Sequence, residues 1–265
     1  MHTWMVVGII FVLTVVMIMS GRGGGNFYVA ALALSGVAMH TASTTSQFIL
    51  LVSALVGVVV FGKARTMSWP LVLFFGGLNA SLAFVGGFEA HAFGGMTLKL
   101  ALSALLFIAG VAMLLPEKQA TKVAVSRFGY WNIQEGDNRY VVNLWGAVPL
   151  TMATGFFSGM VGISGGSFLV PLMVVGCGVP MRTAVGTATA VLAATALTGF
   201  VGNALHGGFD AALAIPCGAV AIAGGLIGSK LALKTKPKSL KTLSGILTMI
   251  ASVAMLANVL SGGNK

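Results

Sequence analysis

Long stretches of this chain carry no charge. Phe48 to Gly62, Pro70 to Phe88, Leu100 to Leu115 and Ala184 to Leu205 are uncharged and mostly apolar, and Leu240 to Leu260 is broken only by Lys241 near its start. A helix needs about 20 apolar residues to cross a bilayer, or about 17 when short. The runs show neither strict alternation nor a single apolar stripe, the patterns that would build a water-facing sheet or helix. Charged residues make up 8% of the chain, against about 25% in ordinary soluble domains. The chain reads as an all-α, polytopic membrane protein.

The runs also repeat. A shift of 141 residues brings Trp4 onto Trp145, Gly21 onto Gly162, Gly24 and Gly25 onto Gly165 and Gly166, and Phe27 onto Phe168. After one residue of slippage near 36, a shift of 142 brings Thr41, Ala42 and Thr45 onto Thr183, Ala184 and Thr187. The same shift brings Gly57, Gly76 and Gly86 onto Gly199, Gly218 and Gly228. Each half then holds five hydrophobic segments, at 4–20, 27–39, 44–62, 70–88 and 96–115, and at 143–161, 168–179, 184–205, 211–231 and 240–260. The second segment of each half is too short for a full span and suits a broken or re-entrant helix paired with the first in a hairpin. The expected organisation is a first transmembrane repeat over 1–116, a cytoplasmic connector over 117–141 and a second repeat over 142–265.

Five segments is an odd number, so the two repeats must have inverted topology. With the polar connector placed in the cytoplasm, only Lys99 and Lys265 of the 15 basic residues fall on the outer side. That distribution obeys the positive-inside rule and puts both termini in the periplasm of a bacterial inner membrane. The first run, Trp4 to Met19, lacks a basic leader and an A-x-A site, so it reads as mature structure rather than a signal peptide. The net charge of +10 lies in the loops, without interleaved aromatics, which argues against nucleic-acid binding. Cys177 and Cys217 have no metal-ligand spacing and read as small packing residues. No cofactor is expected.

The stretch GFFSGMVGISGGSFLVPLMVVGCGVPMRTAVGTAT, Gly155 to Thr189, places a glycine turn after a helix, then a short apolar run and a polar helix start. Ser158-Gly159, the turn Gly162 to Gly166, Val170-Pro171, Ala184 to Thr187 and the Gly207-Gly208-Phe209-Asp210 stretch resemble the TauE/SafE family of sulfite and sulfonate permeases. GRGGGNF, Gly21 to Phe27, repeats the turn in the first half. The resemblance implies movement of sulfite, sulfoacetate or related organosulfonates, often outward.

Physical chemistry points to the same turns. Glycine turns inside a bilayer expose backbone N–H groups, which are costly unpaired and attract anions at helix N-termini. The candidate substrate-binding residues are Arg22, Gly23, Gly24, Gly25 and Asn26, with Ser164, Gly165, Gly166 and Ser167 in the second turn. The polar helix starts add Thr44, Thr45, Gln47, Thr187 and Thr189. Each hydroxyl has a plainer role open to it, as a helix cap or a bond to its own preceding turn. Arg22 has apolar Ile163 as its repeat partner, and a buried arginine needs a counter-charge. Asn79 and Asn203 suit interhelical hydrogen bonds, Arg182 a topology signal, His206 an interfacial position and Asp210 a helix cap.

None of the five acidic residues lies in an apolar run, so potential-driven anion movement fits better than carboxylate-based proton or sodium coupling. The expected function is therefore a transporter of a small anion bound near the midplane between the repeats, and not an enzyme. Its partners are that anion and the lipid bilayer, with assembly as a homo-oligomer left open. Two alternatives remain at this point: an anion channel, and an intramembrane serine protease using Ser164 in Gly162-Ile163-Ser164-Gly165 with His206.

Overall fold

The computed structural model describes residues 3–37, 39–88, 107, 110, 111, 114, 128–135, 138–161, 166–205 and 209–260. For some helical residues, Asn26 and Ser167 among them, only the backbone is described. The first half contributes α1 (Thr3–Met19), α2 (Gly25–Leu34), α3 (Met39–Lys63) and α4 (Trp69–Phe88). The connector region contains β1 (Tyr130–Glu135) and β2 (Asn138–Asn143). The second half contributes α5 (Leu144–Val161), α6 (Gly166–Pro171) followed by a π-helical turn at Leu172–Gly176, α7 (Met181–Leu205), α8 (Ala211–Lys234) and α9 (Pro237–Leu260).

These helices match the expected segments because the apolar runs fix them: in hydrocarbon, backbone groups must be satisfied within the segment. Thr44–Lys63, Met181–Val201 and Ala211–Lys234 are long and apolar enough to cross a membrane, and Met5–Met19 and Trp69–Val85 are shorter apolar helices. Leu55, Val59, Leu73, Phe84 and Ile215 are exposed on α3, α4 and α8, as residues that face lipid would be. The short second segments stay short. Ten residues of α2 reach about 15 Å, half the hydrocarbon thickness. In the second half Pro171 closes six residues of α-helix and a π turn follows. Gly36 (φ +91°) and Gly178 (φ +67°), 142 residues apart, end the two short helices in the left-handed region that glycine adopts without strain.

The packing partners exchange when the halves are exchanged. α1 lies on α8 as α5 lies on α4, α3 lies on α8 as α7 lies on α4, and α3 and α7 lie on each other. Individual contacts follow the same rule. A Cβ added at Gly57 of α3 would stand 2.7 Å from Thr189 Cγ2 of α7, and one at Gly199 of α7 would run into the Gln47 side chain of α3. Gly57 and Gly199, like Gln47 and Thr189, are 142 positions apart. Gly155 meets Leu82 on the α4–α5 seam, and at the corresponding place on the α1–α8 seam Thr14 meets Gly224. Small residues here let the helix backbones approach, which is how helices associate in lipid.

The connector adds an element that the all-α reading did not assign. β1 and β2 form an antiparallel hairpin in which Trp131 faces Val142 and Ile133 faces Tyr140. Gly136-Asp137 separates the strands, a pair suited to a two-residue hairpin loop. Alternation turns Ile133, Tyr140 and Val142 inward, where they join Phe61, Met67, Leu71, Phe75 and Met181 in one core, while Asn132 and Gln134 face out. Trp131 stacks edge-on against Phe74 of α4 at 5.5 Å. The hairpin thus covers one end of the bundle.

Candidate functional site

The turn from α1 to α2 is built from the backbone outward. Gly21 sits at φ +71°, with its N–H bonded to Ile18 O (3.1 Å) and the N–H of Arg22 bonded to Met17 O (3.1 Å). This pair of bonds is a Schellman cap, and it closes the last turn of α1. Two N–H groups that the sequence suggested might face an anion are therefore committed to the helix end. Gly23 (φ +75°) and Gly24 (φ +63°) follow, and their N–H groups have no acceptor among the described residues. Gly24 O accepts from Phe27 and Tyr28 N–H to start α2, with Gly25 as its first residue.

The turn is locked into the other half. A Cβ on Gly21 would meet the Val185 backbone at 2.9 Å and Val170 Cγ2 at 3.1 Å, and one on Gly23 would meet Leu50 and Leu192. Only glycine fits there, on both conformation and space.

Arg22 is 1% exposed and is among the largest fully buried side chains. Its Nη1 donates to Thr248 Oγ1 at 2.6 Å and to Ser244 O at 3.3 Å, both on α9. Its Nε has no partner, and no carboxylate among the described residues pairs with it. Thr248 in turn donates to Ser244 O (2.7 Å), and the Ser244 hydroxyl donates to Ser20 O (3.4 Å). Ser244, Thr248 and Ser252 are all buried, four residues apart, so one face of α9 is a polar stripe. Sequence reasoning missed this stripe. The signal was the i, i+4, i+8 spacing of hydroxyl residues, in a helix otherwise read only for its apolar length.

The remaining candidates are divided rather than gathered. Thr44 and Thr45 are buried near the start of α3, and Thr45 Oγ1 has no partner. Gln47 and Thr189 lie in the tight α3–α7 seam, and Thr189 Oγ1 is bonded to Val185 O of its own helix (2.8 Å). Thr187 Oγ1 accepts the N–H of Ser68 at 3.0 Å, and Ser68 Oγ accepts from Tyr140 OH at 3.0 Å. That chain ties the hairpin, the α3–α4 loop and α7 together at the end the hairpin covers. Gly166 and Ser167 open α6. Ser164, Gly165, Ile163 and His206 lie outside the described residues, and so does any view of the second turn facing the first.

Among the plainer readings, Asp210 caps α8 by accepting from Ala212 and Leu213 N–H at 3.0 and 3.3 Å. Arg182 donates to Thr235 O (3.2 Å) at the end of the same helix. Cys177 and Cys217 are free and buried. The expectation for Asn79 is corrected: its amide is fully buried on α4, and both polar atoms lack a partner among the described residues. Gly155 of α5 packs on the Asn79 backbone instead, at 3.0 Å for an added Cβ.

A mostly helical chain with membrane-length apolar helices, short half-depth segments and lipid-facing apolar surface defines a multi-pass membrane protein. The sequence profile of the sulfite exporter TauE/SafE family matches residues 6–255 of the 265. The chain belongs to that family, whose members are membrane transporters rather than enzymes. No curated protein and no solved structure matches it.

Proposed function

We propose that this chain exports a small sulfur-containing anion, sulfite or an organosulfonate such as sulfoacetate, across the bacterial inner membrane. The reading has the two repeats inverted, both termini periplasmic and the anion bound near the midplane between the halves, at the α1–α2 turn. The observation that carries the site is Arg22. An arginine in this position is buried with a free Nε and no carboxylate partner, beside two glycine N–H groups that lack acceptors. An unpaired guanidinium inside a membrane protein is costly, and an anionic substrate removes that cost when it binds. The exchange of packing partners between the halves supports the repeat reading, as does the confinement of basic residues to alternate loops.

Direction follows from charge. An inside-negative potential favours outward movement of an anion by about 2.3 kcal/mol per charge per 100 mV. The test is flux of radiolabelled sulfite in proteoliposomes with membrane potential and pH gradient set independently. Flux that rises with potential at zero pH gradient is expected. Flux driven only by a pH gradient and indifferent to voltage would overturn the potential-driven reading.

A further inference from the structure

We infer that Thr248 of α9 is the positioning residue of this site, and that Arg22 recognises its anion through the edge formed by Nε and Nη2. The inference rests on the anion site proposed above and names what that site selects: an oxyanion that presents two oxygens side by side, one per chain.

The hydrogen count on the guanidinium leads there. Nη1 carries two hydrogens, and two acceptors hold it, Thr248 Oγ1 at 2.6 Å and Ser244 O at 3.3 Å. Thr248 gives its own proton to Ser244 O at 2.7 Å, so its oxygen is left facing the arginine as an acceptor. Ser244 reaches back to Ser20 O, which joins α9 to the same turn that carries Arg22. One end of the planar group is thereby fixed. The donors left over are Nε–H and the two on Nη2, none of which has a partner among the described residues. Nε–H and the nearer Nη2–H are parallel, and their spacing matches two oxygens of a carboxylate, sulfite, sulfonate or phosphate. A halide offers a single point and gains nothing from the fork. A lysine offers charge without the fork. The site is also single: 141 residues on from Arg22 stands Ile163, which has no donor side chain.

The test uses the purified full-length protein, titrated calorimetrically with sulfite, methanesulfonate and bromide. Wild type is expected to bind one oxyanion per chain and to prefer it to bromide. Arg22→Lys is expected to lose about tenfold or more of that preference while still responding to bromide. Thr248→Val, which keeps the shape and removes the acceptor, is expected to lose preference in the same direction, and Thr248→Ser to restore it. If Arg22→Met abolishes binding while Thr248→Val discriminates like wild type, the positioning role fails and the anion site stands. If Arg22→Met binds like wild type, both fall. Two oxyanions per chain would overturn the single-site inference.

Discussion

The seam between α3 and α7 gives a sharp test of how the halves meet. Gly57→Ala places a methyl group 2.7 Å from Thr189 Cγ2, where ordinary contact begins near 3.4 Å. The overlap is with a side-chain methyl on a stiff β-branched residue, which cannot rotate away without giving up its bond to Val185 O. Overpacking of this kind costs about 1–3 kcal/mol. Thr189→Ser removes the opposing methyl and keeps the hydroxyl, a loss of about 0.5–1.5 kcal/mol by analogy with other single-methyl deletions. Combined, the new methyl fills the space of the old one. The double variant should therefore be close to wild type, with a favourable coupling of about 1–3 kcal/mol, within the range seen for residues in contact. Unfolding can be followed with a thiol-reactive dye, because Cys177 and Cys217 are buried and become reactive only when the bundle opens. Gly77→Ala serves as a control, since nothing lies within 4 Å of its added Cβ. Additive losses in the double variant, to within about 0.5 kcal/mol, would refute the direct Gly57–Thr189 contact.

Other consequences can be measured on the same preparation. Tyr140→Phe breaks the bond to Ser68 Oγ and should cost about 1 kcal/mol, with faster proteolysis in the hairpin as the readout. Thr187→Val leaves the buried Ser68 N–H without its acceptor and should cost about 1–3 kcal/mol in thermal unfolding. Asp210→Ala removes the cap of α8 and should cost about 1 kcal/mol, while Asp210→Asn should retain most of the stability, as compared by the dye assay.

Much of the fold was legible in the sequence. The helices lie close to the expected apolar segments because length and hydropathy are set residue by residue, and a lipid solvent leaves the backbone no alternative to local hydrogen bonding. The short second segments were legible for the same reason. The hairpin was not assigned, although Trp131 and Ile133 alternate against Tyr140 and Val142 around Gly136-Asp137. A six-residue strand is a weak signal beside long apolar runs, and what stabilises this one is the bundle surface beneath it. The candidate site was half legible. Arg22 stood out as a lone cation in a glycine turn, but nothing near it in sequence names Ser244 or Thr248, more than 220 residues away.

The sequence by itself determined where the membrane helices run, that the chain falls into two related halves, and that one glycine turn carries an arginine while its counterpart does not. Only the tertiary structure decided which polar groups are available to a ligand. It bonded Thr187 to Ser68 and Thr189 to its own helix, sealed Gln47 against Gly199, and left Nε of Arg22 open while α9 holds Nη1. The reason lies in the forces that act at each level. Helix formation in a bilayer is driven by local hydropathy and backbone satisfaction, which sequence encodes directly. Helix association in lipid is driven by close fit and a few interhelical hydrogen bonds. Which serine or threonine meets which donor is therefore settled only when the helices pack.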